Sequence, residues 1–200
     1  MKVLAWLCAA FVALSAPLAL AAGKEEGFAI DQILGKPDAP VTIIEYASTT
    51  CSHCAHFHKT VLPEIKKNWI DTGKARLIYR DFPTAPAALS LGSSMIAHCA
   101  GSERYFGVLG LIMDQQEKWL ASSDPLDSLK KLVRLAGITP DQVDACVRRQ
   151  DLFEAVQGRA ERGHKDFGID STPSFVVNGR VLVGAKSYDE MNKALDEAAK

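Results

Sequence analysis

No basic block and no acidic tail interrupt the 200-residue sequence, whose 23 Lys and Arg against 24 Asp and Glu leave a formal net charge of −1. A nucleic-acid footprint needs clustered cations, and none is present. Low-complexity tracts are also missing, which argues against a scaffold. Cysteine is scarce, at five, and no second Cys or His pair at zinc-knuckle spacing accompanies the one closely spaced pair. A basic cluster is lacking after the apolar N-terminal run, which weighs against a retained membrane span.

That run occupies residues 1–21. Lys2 opens it, residues 3–20 are apolar apart from Ser15 and Pro17, and Ala19-Leu20-Ala21 supplies a small-x-small site. A signal peptide cleaved before Ala22 is expected. Cys8 lies too early, and without a small residue before it, to carry a lipid anchor. The remaining residues 22–200 keep four cysteines, Cys51, Cys54, Cys99 and Cys146, an even number that in an exported chain implies an oxidising compartment. Their length can bury a substantial core in one domain with an inserted lobe.

The chemistry-bearing stretch is Cys51-Ser52-His53-Cys54. Before it, residues 41–46 are rich in β-branched and aromatic side chains and read as a strand. After it, Ala55, Phe57, Val61, Leu62 and Ile65 mark a helix over 55–68. Two cysteines two residues apart on a first helical turn can close a disulfide or open to a dithiol with little backbone movement. The free amides of the helix end favour a thiolate at the N-terminal member. Cys51 is therefore expected to be the attacking sulfur and Cys54 the resolving one. A protonated or hydrogen-bonding His53 would lower the Cys51 pKa further. A value of roughly 4 to 5 in place of about 8.5 favours the reduced form by about 5 to 6 kcal/mol, the basis of an oxidising disulfide. The other readings are a metal site drawing on His56 and His58, and an inert pair.

Pro63 should kink or restart the helix. Residues 75–79 read as a second strand, parallel to the first across the helical crossover. A reactive group at the carboxyl end of the first strand is where open α/β sheets place their sites. From about 85 to 167 the pattern turns helical, with helices over 89–100, 103–120, 126–136 and 142–160 and a capping box opening at Thr139. Cys99 and Cys146 fall on helices of this lobe. A structural disulfide between them, closing about 46 residues, contributes roughly 4 kcal/mol in the chain-entropy model; the alternative is a second redox pair that recharges the first. Residues 174–177 and 181–183 flank Asn178-Gly179-Arg180 and read as a hairpin. A helix over 188–199 follows, with Met191, Leu195 and Ala198 inward. Pro173 enters the hairpin either as an edge residue or as a cis proline that leaves backbone free for a partner.

Four features occur in order: Gly35-Lys36-Pro37-Asp38-Ala39-Pro40-Val41 leading to Glu45, the Cys51 to Cys54 motif, the helical insertion, and Gly168-Ile169-Asp170-Ser171-Thr172-Pro173-Ser174-Phe175-Val176-Val177-Asn178-Gly179. With these the chain resembles the DsbA-like periplasmic thiol-disulfide oxidoreductases of the thioredoxin superfamily, over essentially all of residues 22–200. The resemblance implies an α/β thioredoxin fold with an inserted helical lobe and a cis Thr172-Pro173 bond facing Cys51. It also implies that Glu45 is a buried acid relaying protons to Cys54, and that no cofactor and no metal take part. His56 and His58 match no catalytic position and are expected at the surface or against the lobe; Phe57 is expected in the core. Disulfide donation to reduced exported polypeptides is the expected activity, with a DsbB-like membrane oxidase to recharge the pair. Ser52 stands where the strongest oxidases often have proline, and Thr172 where they often have valine. Threonine there is shared with the isomerase branch, which would need a reducing partner instead. A non-catalytic, client-holding protein is the reading from another class.

Overall fold

The computed structural model describes residues 31–200. The expected signal peptide at 1–21, and Cys8 within it, lie outside the described residues. Among those described, no helix is long and apolar enough to cross a membrane.

Among the described residues, five strands form one sheet: β1 (Gln32–Leu34), β2 (Val41–Ala47), β3 (Ala75–Asp81), β4 (Ser174–Val177) and β5 (Arg180–Val183). Their order across the sheet is β1-β3-β2-β4-β5. Only β2 and β3 run parallel, in register from Val41 opposite Ala75 to Ala47 opposite Asp81; β1 pairs antiparallel with β3, β4 with β2, and β5 with β4. A parallel pair needs a crossover. It is supplied by α1 (Ser52–Thr60) and α2 (Leu62–Ile65), the latter running into a π-helical turn at Lys66–Ile70. Pro63 falls at the start of α2, where its missing amide costs nothing, so the helix stops at Thr60 and restarts.

Alternation along β2 decides what lies on each face of the sheet. Val41 and Ile43 meet Phe57, Ile65, Phe175, Met191 and Leu195, which puts α1, α2 and α9 (Tyr188–Ala198) on one face. Tyr46 meets Phe167 and Ile169 on the other. Between β3 and β4 the chain makes α3 (Ala87–Cys99), α4 (Ser102–Asp114), α5 (Gln116–Leu120), α6 (Pro125–Val133), α7 (Pro140–Cys146) and α8 (Gln150–Phe167). This insertion is the helical region foreseen from the sequence, with two expected helices divided. The helix over 103–120 breaks at Gln115, and that over 142–160 breaks after Cys146 and runs on to Phe167. Thr139 closes the expected capping box with Gln142. Asn178 and Gly179 both take positive φ, 44° and 90°, giving a two-residue turn of the kind Asn-Gly favours, with Arg180 already in β5.

One covalent tie closes the insertion on itself, and one polar cluster holds it to the sheet. Cys99 and Cys146 are disulfide-bonded, joining α3 to α7. At the end of β3, the wholly buried Asp81 meets His98 of α3 at 2.8 Å and Arg159 of α8 at 3.4 Å. Burial opposes that carboxylate, but the charge and hydrogen bond of His98 outweigh it and hold the Asp81 pKa below its usual value. On α8, Gly163 lies so close to the Tyr46 ring that an added Cβ would overlap it.

Candidate active site

The first parallel strand ends at Ala47 and the chain enters a loop, Ser48-Thr49-Thr50, whose side chains are all hydroxyls. Hydroxyls here are buried, so they must find partners. Ser48 Oγ is 2.8 Å from Ser90 Oγ, Thr49 Oγ1 is 2.6 Å from Ser93 Oγ, and Thr84 Oγ1 donates to Ser48 Oγ at 2.9 Å. Gln116, buried on α5, donates its amide to the carbonyls of Thr49 at 2.8 Å and Cys51 at 3.0 Å. The inserted lobe thereby fixes the loop that carries the reactive pair.

Cys51 is the N-cap of α1, with extended backbone (φ −84°, ψ 119°), and its carbonyl accepts the Ala55 amide at 3.1 Å. That places its side chain ahead of the first, unbonded amides of the helix. Cys51 is partly exposed, while Cys54 is wholly buried, and both are free thiols. The Cys51 pKa is lowered from 9.0 to about 5. A hydrogen bond from the Cys54 thiol does most, against the cost of burial, with the Thr172 hydroxyl and the backbone amides of Cys54 and His53 adding to it. Cys54 moves the other way. Burial pushes its thiol far up, and its hydrogen bond with Cys51 and the charges of Cys51 and Glu45 push further.

Thr172 comes from the far end of the chain. Its peptide bond to Pro173 is cis, Pro173 is buried, and the Thr172 carbonyl is 3.5 Å from Cys51 Sγ. Glu45 is wholly buried on β2, and His58 Nε2 meets both its carboxylate oxygens, at 3.0 and 3.1 Å. This corrects the surface expectation for His58: only 5% of its side chain is exposed and it is the partner of Glu45, while it does border α4 of the lobe. It was legible in principle, because position 58 is four residues, about one helical turn, after Cys54 and on the same face of α1. His53 and His56 are exposed. Among the groups that lower the Cys51 pKa, His53 acts through its main-chain amide. Gln116 and the Ser48 to Thr50 hydroxyls carried no signal in the sequence, since their partners are 34 to 67 positions away. Among the described residues, no group of three or more His, Cys, Asp or Glu side chains gathers as a metal site would require.

The thioredoxin family model matches residues 30–197. The chain belongs to the DsbA-like, thioredoxin-fold thiol-disulfide oxidoreductase family. Among solved structures of DsbA-like proteins, alpha-DsbA1 of Wolbachia pipientis superposes with a TM-score of 0.77 at 29% identity, covering 84% of this chain and 90% of that one. DsbA of Chlamydia trachomatis shares the fold, with a TM-score of 0.73 at 22% identity over 84% of this chain and 90% of its own. A Rickettsia conorii relative, provisionally named a protein-disulfide oxidoreductase, is 34% identical over 169 residues. The match takes in 84% of this chain but only 60% of that relative's length.

Proposed function

We propose that the protein donates disulfide bonds to exported polypeptides through Cys51 and Cys54. The observation that carries this reading is the opposed acidity of the two thiols. Cys51 is held near a pKa of about 5 and Cys54 is held protonated, so the dithiol is the favoured form and the disulfide is oxidising. A client thiolate attacks Cys51 Sγ. The Cys51-Cys54 bond breaks and Cys54 leaves with the electron pair, taking a proton that Glu45 delivers. A second client thiolate then attacks the client sulfur of the mixed disulfide, expelling Cys51 as a stable thiolate. The client gains one disulfide and the protein holds one thiolate and one thiol; of the two protons the client dithiol loses, one makes good the proton taken by Cys54 and the other is released. Thr172 and Pro173, at the entry to β4 and beside Cys51, offer main-chain groups to an extended client segment in the manner of an added strand. His53, exposed next to Cys51, meets the client first. A DsbB-like membrane oxidase restores the disulfide in the periplasm, where the relatives that carry the DsbA name are the guide.

The test is to quench cells with acid, block free thiols by alkylation and read the state of Cys51 and Cys54. A mainly oxidised pair supports donation. A mainly reduced pair, with repair of a scrambled multi-disulfide client, would replace it with isomerisation, the activity that Thr172 leaves as the rival.

A further inference from the structure

In the exchange just described, Cys54 must gain a proton when its bond to Cys51 breaks and lose one when that bond is remade. It is wholly buried, so the proton needs a route. Cys54 and His58 are four residues apart on α1 and share a face. Glu45, whose charge Cys54 feels, lies below that face with both oxygens on His58 Nε2. His58 in turn borders a cleft of about 580 Å³ between α1, α2 and α4, lined also by Lys59, Leu62, Lys66, Phe106 and Asp114. The cleft opens about 10 Å along the helix from Cys51, at 1.5 Å per residue.

The other titratable groups facing His58 do not offer this route. Tyr79 of β3 stands edge-on to the His58 ring, centroids 6.0 Å apart, and Tyr105 of α4 lies behind it. Burial, then the charge of Asp81, push both phenols well above their usual range, so they keep their protons. Asp81 is engaged by His98 and Arg159. Lys59, Lys66 and Asp114 are exposed at the cleft and meet solvent directly.

We propose that His58 is the proton outlet of the resolving cysteine, passing protons between Glu45 and the water of this cleft. The inference rests on the exchange reading above. His58 touches no sulfur, so it is a relay and positioning residue rather than a catalytic one. When Cys54 leaves the disulfide it takes a proton from the Glu45 and His58 pair, and the cleft replenishes that pair. When Cys54 attacks a Cys51 mixed disulfide, its proton leaves by the same path, the Cys54 to Cys51 bond forms and the small thiol departs as thiolate. No electrons pass through the relay.

The experiment isolates that second step. The protein carrying a Cys51 mixed disulfide with glutathione is allowed to resolve, and the glutathione released is followed against pH in wild type, His58→Gln and His58→Ala. Gln keeps bulk and a hydrogen-bond donor but no transferable proton; Ala leaves room for imidazole from the cleft. Both should slow release by tenfold or more, in line with the roughly 10²-fold that positioned acid-base groups supply. Added imidazole should restore His58→Ala in proportion to its concentration and leave His58→Gln slow, while alkylation of Cys51 stays as in wild type. Wild-type rates in both variants, or a loss in His58→Ala that imidazole does not touch, would overturn the outlet. If His58→Ala does not fold, the rate of His58→Gln decides alone. A wild-type protein that never expels glutathione would sink the exchange reading itself, and the relay with it.

Discussion

The hydroxyl of Thr172 is a single group whose effect can be read directly on sulfur. Thr172→Val keeps the branched shape and removes the donor, so ultraviolet titration of the thiolate should place the Cys51 transition above the value of about 5 it has now. An unmoved transition would mean that the hydroxyl does not reach the sulfur. The same shift sets a pH dependence of stability. Folding depresses the Cys51 pKa from 9.0 to about 5, so between those values the folded reduced protein binds fewer protons than the unfolded chain. The stability this gives is complete above the unfolded value and is lost as pH falls through the folded one. The disulfide form has no such titration. Denaturation midpoints of the reduced and oxidised forms should therefore draw together as pH is lowered from about 8 to about 4; a constant gap would contradict the assignment. Residues whose chemistry is local were readable in advance. Cys51 and Cys54 needed only their spacing and a helix start. Thr172 entered through family resemblance alone, and its contact with Cys51 spans 121 positions, beyond any pattern in a short window. His58 matched no catalytic motif, and what draws it inward is the buried carboxylate of Glu45 on β2, a neighbour that its own helix does not reveal.

Elements show the same division between local signal and distant cause. The strands β2, β3 and β4 and the Asn178-Gly179 turn were legible from alternation and turn chemistry, while β1 is three residues long and exists because the edge of β3 accepts it. The lobe's helices were readable, but not their breaks at Gln115 and after Cys146, where the chain turns to meet other helices without any proline or glycine to mark the place. Docking of α8 depends on one missing methyl group. Gly163→Ala would force Tyr46 or the helix to shift, and thermal denaturation should show a loss of about 1 to 3 kcal/mol, the usual cost of overpacking. A midpoint equal to wild type would mean that α8 is not held against Tyr46. The bond between α3 and α7 is a second tie. With a sequence separation of 47, its removal in Cys99→Ala/Cys146→Ala should lower stability by about 4 kcal/mol, the loop-closure figure. Alkylation of Cys51 should be unchanged, since the Cys51 environment is built by α1, α5 and Thr172. A parallel change in Cys51 reactivity would make this bond part of the redox machinery instead.

As a whole molecule the protein is a sheet completed from both ends of the chain, with the lobe between. Residue 43 is paired with residue 177, so β2 and β4 can pair only after the whole lobe between them has been made. For a polypeptide delivered N-terminus first, this sets a timetable. Cys51 is made early; Cys99 and Cys146 follow it; β4 and Thr172, which complete the pocket around the sulfur, arrive only after the lobe. Until then Cys54 has no packed interior to hold its proton and Cys51 has no Thr172 hydroxyl, so neither thiol has its working acidity. The topology thus withholds from Cys51 the acidity that makes it a good leaving group until β4 and Thr172 are in place.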